Sequence, residues 1–160
     1  MATNDAGANP WVLRTDFSKQ YDPTWDLLKR LISSPQRDPI SGMEFVANVR
    51  FVEDPSFAHL SPDSVVRRLP DNYPGLFIFL VDTETLGNRE HPVGVIGFSP
   101  VGEQPAELSR KPHDTPADEV KFFRALPSTL QSIENNLSIA NMDFEDFANA
   151  VGADGVFRGF

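Results

Sequence analysis

The 160-residue sequence contains no cysteine. Disulfides, zinc–thiolate and iron–sulfur ligation and thiol nucleophiles are therefore excluded. Basic residues are scarce, 14 against 23 acidic ones, which leaves a net charge of -9. A surface of that sign repels phosphate backbones and anionic headgroups, so neither nucleic acid nor a membrane is expected as a partner. No stretch approaches the roughly 18 consecutive apolar residues that span a bilayer. The opening "MATNDAGANPW" lacks a basic segment followed by an apolar one. A cytoplasmic location is expected. Also missing are G-x-S-x-G, P-loop, G-x-G-x-x-G and EF-hand patterns, the usual signatures of serine acyl transfer, nucleotide chemistry and calcium sensing. His59, His91 and His113 form no i, i+4 pair, so no metal site is expected, and no cofactor is called for.

What is present reads as one folded domain. Hydrophobic residues make up 40% of the chain, with 13 Phe, and charged residues 23%. A chain of this size buries about 68–70% of its unfolded surface, enough for a single core. Residues 1–10 are small and polar and read as a flexible leader, leaving 11–160 as the globular part. "WVLRTDF" alternates as a strand. "YDPTWDLLKRLI" follows as a helix, with Asp22 as N-cap, Pro23 at the first helical position and Trp25, Leu28, Leu31 and Ile32 on one side. "FVANVRFVED" resumes alternation, which makes a parallel strand–helix–strand unit.

"SPDSVVRRL" is a second short helix, capped by Ser61. "GLFIFLVD" and "PVGVIGF" are apolar on both faces and read as central strands. Their nine-residue separation is too short for a helical crossover, so the second should return antiparallel. Residues 99–119 carry four prolines and no apolar period, the mark of a lid or a disordered insertion. "VKFFRAL" then closes the sheet as an edge strand. The expected fold is α/β, a single mixed sheet of about five strands. Its first part is parallel, its later part antiparallel, and C-terminal helices pack on it.

The strongest helical signal is the run Leu126, Leu130, Ile133, Leu137, Ala140, Phe144, Phe147 and Val151, with Gly152 standing as its C′ residue. The span contains Asn135, Asn136 and Asn141, which are poor helix formers. Either one helix runs through them, or a break near 138–143 makes two. The chain ends on Phe160, an apolar residue that suggests a docked C-terminus.

The segments "RTDFS", "VRFVEDP" and "FLVD", and above all "SIENNLSIANMDFEDFA" followed by "DGVFRGF", resemble a domain-of-unknown-function family of small acidic proteins from actinomycete bacteria and filamentous fungi. The resemblance spans most of residues 11–160. It implies no reaction. It marks the asparagine segment as a family signature and the 99–119 insertion as longer here than in the bacterial members.

Three strands end in carboxylates: Asp16, the pair Glu53 and Asp54, and Asp82. Open α/β sheets bind ligands outside the carboxyl ends of their strands, where these acids would converge. Each could equally cap the next turn or helix. Arg14 and Arg50 could hold a substrate carboxylate or neutralise the neighbouring aspartates. Asn136 and Asn141 flank the apolar stripe and could offer amide donors to a developing oxyanion, whereas Asn135 should be solvated.

Two functions fit these residues. The first is a cofactor-independent acid–base enzyme, an isomerase, cyclase or lyase acting on a small organic molecule of secondary metabolism. Asp16 or Asp82 would be its general base, Arg14, Arg50 and Asp54 would bind substrate, and Asn136 and Asn141 would stabilise charge. The base then needs a pKa raised by burial. The second is an acidic binding module of the inhibitor or immunity type, whose charge speeds association with a basic partner. The oligomeric state is left open.

Overall fold

A computed structural model of the protein describes residues 9–98 and 111–160. Strands β1 (Trp11–Arg14), β4 (Arg50–Val52), β5 (Phe77–Val81), β6 (Val93–Gly97), β7 (Lys121–Ala125) and β8 (Val156–Phe157) form one six-stranded sheet in the order β4-β1-β5-β6-β7-β8. β1 runs parallel to both of its neighbours, and β5, β6 and β7 alternate in direction. β8 lies parallel to β7 and outside it. The mixed sheet agrees with the expected class. The sixth strand corrects the edge, because two residues between glycine turns are too few to display an alternating pattern. A separate antiparallel pair, β2 (Gln36–Arg37) and β3 (Glu44–Phe45), occupies the link after the first helix.

Two apolar layers sandwich the sheet. On one face Val12, Phe79, Val95 and Phe123 meet helix α1 (Asp22–Ser33), helix α4 (Leu130–Ser138) and helix α5 (Phe144–Ala148) through Trp25, Leu28, Leu130, Ile133 and Phe147. On the other, Leu13, Ile78, Leu80 and Ile96 pack on helix α2 (Pro62–Arg68) through Val65 and Val66. The continuous apolar runs of β5 and β6 reflect this double cover, since all ten of their residues are buried. A one-turn helix, α3 (Thr83–Gly87), links them. α1 starts at Asp22 rather than after it, because the Asp22 carboxylate is engaged by Arg14 and leaves Tyr21 as an N-cap without a side-chain bond. Leu31 faces solvent with 40% of its surface exposed, against the expected apolar side.

Of the alternation read over 45–54, only Arg50–Val52 joins the main sheet, Phe45 belonging to the separate β2–β3 pair. The segment before it hangs on α4 instead. Asn48 N donates to Glu134 Oε1 at 2.6 Å and Asn135 Nδ2 donates to the Val46 carbonyl at 3.0 Å. The long C-terminal periodicity spans two helices. α4 ends at Ser138, and Ala140 takes a left-handed conformation with φ +55°. Ala140 N then donates to Leu137 O and Asn141 N to Asn136 O, the paired bonds of a Schellman turn with alanine in the position that glycine favours. The apolar spacing carries on across the turn because Leu137, Phe144 and Phe147 pack into the same layer. α5 stops at Ala148, so Gly152 is not its C′ residue and instead donates to Val156 O ahead of β8.

Docking of the chain end is achieved by the fully buried Phe157. Phe160 rests its ring on Phe157 and Phe147 at centroid distances of 5.1 and 5.5 Å and stays 78% exposed. The leader, apart from Asn9 and Pro10, and residues 99–110 of the expected lid lie outside the described residues. Within 111–119, two single 3-10 turns, Pro112–Asp114 and Ala117–Glu119, carry the chain to β7. No helix among the described residues is long and apolar enough to cross a membrane.

Candidate functional site

The sheet has a topological switch point between β1 and β5. Helix α1 leaves β1 on one face and helix α2 reaches β5 on the other, so the carboxyl ends of these strands form the edge where open α/β sheets hold ligands. Asp16, Asp82 and the Glu53–Asp54 pair all stand at this edge, as their strand ends require. Three of these acids cap the backbone just beyond them. Asp16 accepts from Ser18 N at 3.0 Å, Asp54 from Ser56 N at 3.0 Å and Asp82 from Thr85 N at 3.1 Å.

The edge is also latched across its strands. Thr83 Oγ1 donates to Asp16 Oδ2 at 2.5 Å, and Ser18 Oγ donates to Asp16 Oδ1 at 2.7 Å, so the buried Asp16 carboxylate ties the end of β1 to the end of β5. Arg14, 4% exposed, donates through Nε to the Asp16 carbonyl and pairs with Asp22 at 2.8 Å and Glu53 at 3.7 Å, beside the rings of Phe17 and Trp25. Arg124 crosses from β7 past β6 to grip both oxygens of Asp82 at 2.8 and 3.0 Å, a bidentate fork, and donates also to the Pro92 carbonyl.

These contacts set the electrostatics. Burial pushes the Asp16 carboxyl up, but the donors Thr83 and Ser18 outweigh it and hold its pKa down at about 2. Burial likewise opposes ionisation of Asp82, and Arg124 and Thr85 overcome it and keep the group below the ordinary aspartate range. Ser56, through its N–H and its hydroxyl, lowers Asp54. The raised pKa expected of a buried aspartate base is therefore not found at either Asp16 or Asp82. Each carboxylate has more donors than burial can offset.

The remaining nominated residues lie elsewhere. Arg50 opens β4 opposite Trp11, at the end of the strand pair away from Asp16, and is exposed. Asn136 and Asn141 bond each other, Asn141 Nδ2 donating to Asn136 Oδ1 at 2.8 Å, while Asn136 Nδ2 donates to the Ser132 carbonyl. They fasten the α4–α5 turn and touch none of the strand-end acids. Asn135, expected to be solvated, is the most connected of the three. It donates to Val46 O and to Glu134 Oε1 and accepts from Gln131 Nε2. Glu134 is a buried anchoring residue that sequence reasoning misses. Only 3% exposed, it gathers Asn48 N, Asn135 and the Ser138 hydroxyl, and no amphipathic pattern distinguishes it from a solvated helical glutamate.

At the edge opposite the latch an open-mouthed cavity of about 570 Å³ lies between the sheet and the α4–α5 turn. Its floor is apolar: Phe77 and Phe98 from β5 and the end of β6, Leu137 and Phe144 from the helices and Met142 from the turn between them. Phe144 lies so close over Gly97 that a Cβ there would fall 2.6 Å from its ring. Behind the floor Tyr73 accepts from Trp11 N and donates to Phe77 O, sealing the join between β1 and β5.

The polar groups at this cavity are few. Lys121 is paired with Glu145. Asp143 makes no ion pair among the described residues, and the buried Oε2 of Glu119 has no hydrogen-bond partner. The lining as a whole comes from five separate stretches of chain, Pro10 and the segments 74–77, 97–98, 119–121 and 137–145, so no local motif could have announced it. A broader groove of about 1260 Å³ runs along α4 beside the β2–β3 pair. No group of three His, Asp or Glu side chains among the described residues is placed to hold a metal ion.

A family model for a domain of unknown function, DUF6924, matches residues 9–160, nearly the whole chain. The chain belongs to this family. Both edges of the sheet, with the latch and the cavity, fall inside the matched region. No curated protein and no solved structure matches the chain.

Proposed function

We propose that the protein is a small-molecule-binding domain whose ligand sits in the cavity between the sheet and the α4–α5 turn. The observation that carries this reading is the cavity itself. At about 570 Å³, with an apolar floor and a handful of polar groups at its wall, it has the size and lining of small-molecule sites.

A second reading is acid–base catalysis on a small organic molecule, an isomerase, cyclase or lyase, at the switch-point edge. It draws on the convergence of Asp16, Asp54, Asp82 and Arg14 there. Their mutual engagement and the lowered acids favour a structural role, so the cavity is the stronger site.

A fragment screen followed by backbone amide shifts in NMR separates the two. Shifts should centre on Phe77, Phe98 and Phe144, vanish when Met142→Trp fills the cavity, and persist in Asp16→Asn. Shifts centred instead on Arg14, Asp16 and Thr83, and lost in Asp16→Asn, would reject the cavity in favour of the catalytic edge.

A further inference from the structure

The broader groove along α4 is flanked by apolar side chains that nothing covers. On one side stands the β2–β3 pair, a two-stranded sheet of its own with no third strand on either edge among the described residues. Its turn is fixed by Gly42 N, which donates to the Asp38 carbonyl at 2.8 Å, and by Ser41 N, which donates to Asp38 Oδ2 at 2.7 Å. That turn holds Ile40 outward with 94% of its surface exposed, more than any other large hydrophobic residue described. Phe45 joins the groove from β3, and Ile139 and Phe160 from the end of α4 and the end of the chain. The four expose on the order of 600 Å² between them, the upper end of what a monomer leaves uncovered. With the polar groove they flank, they approach the roughly 800 Å² that each partner gives to a stable interface.

Charge decides what covers this face. Among the described residues that line the groove, only Arg37, Asp38 and Glu134 are charged, and Glu134 is buried. The exposed side-chain charges, one of each sign, cancel on a chain whose net charge is -9. Two copies of so acidic a chain repel across most of their surface and least across this face. A basic partner would be drawn to the acidic remainder instead. The face also carries both halves of a contact, a fixed apolar projection at Ile40 and an apolar-edged groove beside it. A two-fold axis sets each projection against the other copy's groove, the reciprocal arrangement of a symmetric dimer.

We propose that this face is a dimer interface between two copies of the chain, with Ile40 of each seated in the groove of the other. The proposal does not depend on the cavity being a binding site.

Sedimentation equilibrium of the full chain tests it. The mass should pass from the 17.8 kDa of one chain to twice that value as concentration rises, and the melting temperature should climb over the same range. Added salt should tighten the dimer, because it screens the repulsion between acidic surfaces and removes little attraction. Ile40→Asp and Ile139→Asp should each weaken association by about tenfold or more. Leu31→Glu, which puts the same charge at an exposed leucine of α1, should leave it nearly unchanged. Both isoleucines are exposed, so the variants should keep the wild-type circular dichroism; if Ile40→Asp does not, Ile40→Ser, which adds no charge, takes its place. A single-chain mass at every concentration would overturn the proposal. So would a dimer that salt dissociates, or one that survives both isoleucine substitutions.

Discussion

At one edge of the sheet, Asp16, Asp82, Arg14 and Arg124 are fully engaged with one another and with the chain around them. At the other, Glu119 and Asp143 make no ion pair among the described residues and stand beside an open space. The first edge is where open α/β sheets hold ligands, and it has been closed by its own side chains. The second has no such precedent, yet it borders an open cavity. Polar residues at a strand end therefore indicate a site only when their hydrogen-bonding capacity is left over. Here the residues that look most chemical in sequence are the ones with none to spare.

Substitutions can break that contrast. The largest effect is expected from Asp16→Ala, which removes a buried carboxylate receiving three hydrogen bonds. A loss of about 3 kcal/mol is expected, lowering the melting temperature by roughly 6–12 °C. An unchanged melting temperature would mean that the latch does not hold the strands together.

Acid should act on the same group. Because the folded Asp16 titrates at about 2, below the unfolded aspartate, its contribution is complete above the ordinary aspartate pKa and is lost as pH falls from about 4 towards 2. Melting curves between pH 5 and 2 should therefore fall less steeply for Asp16→Asn than for the wild type.

Smaller again is Arg124→Ala. Its pair with Asp82 is only partly buried and Asp82 keeps its capping bonds, so a loss of about 1–2 kcal/mol is expected from urea midpoints. The smallest effect carries the opposite sign. Ala140→Gly relieves a left-handed alanine in the α4–α5 turn and should gain about 0.5–1 kcal/mol in thermal or urea unfolding. A destabilised Ala140→Gly would mean that no strain is held there.

How much of this is legible in sequence depends on how local the signal is. β5 and β6 announce themselves because strands covered on both faces need no alternation, only an unbroken apolar run with a short return between them. α1 is legible through its proline and apolar stripe, though its cap is not, since Asp22 answers to an arginine eight residues earlier. β8 and the β2–β3 pair escape because two residues cannot show a period. The asparagines are half legible. Their poor helix propensity locates the break correctly, but which of them faces inward depends on Val46 and Glu134, neighbours that only the fold supplies. The cavity is illegible, because Glu119, Phe77, Leu137 and Phe144 share a wall without sharing a pattern.

The contact between Phe144 and Gly97 fixes more than packing. The ring sits where a side chain on β6 would be, so the height of α5 above the sheet, and with it the bore of the cavity, is gauged by the absence of one methyl group. Adding that carbon would prop the helix outward and widen the opening while leaving the latched edge untouched. The width of this cavity can thus change by a single codon without renegotiating the fold.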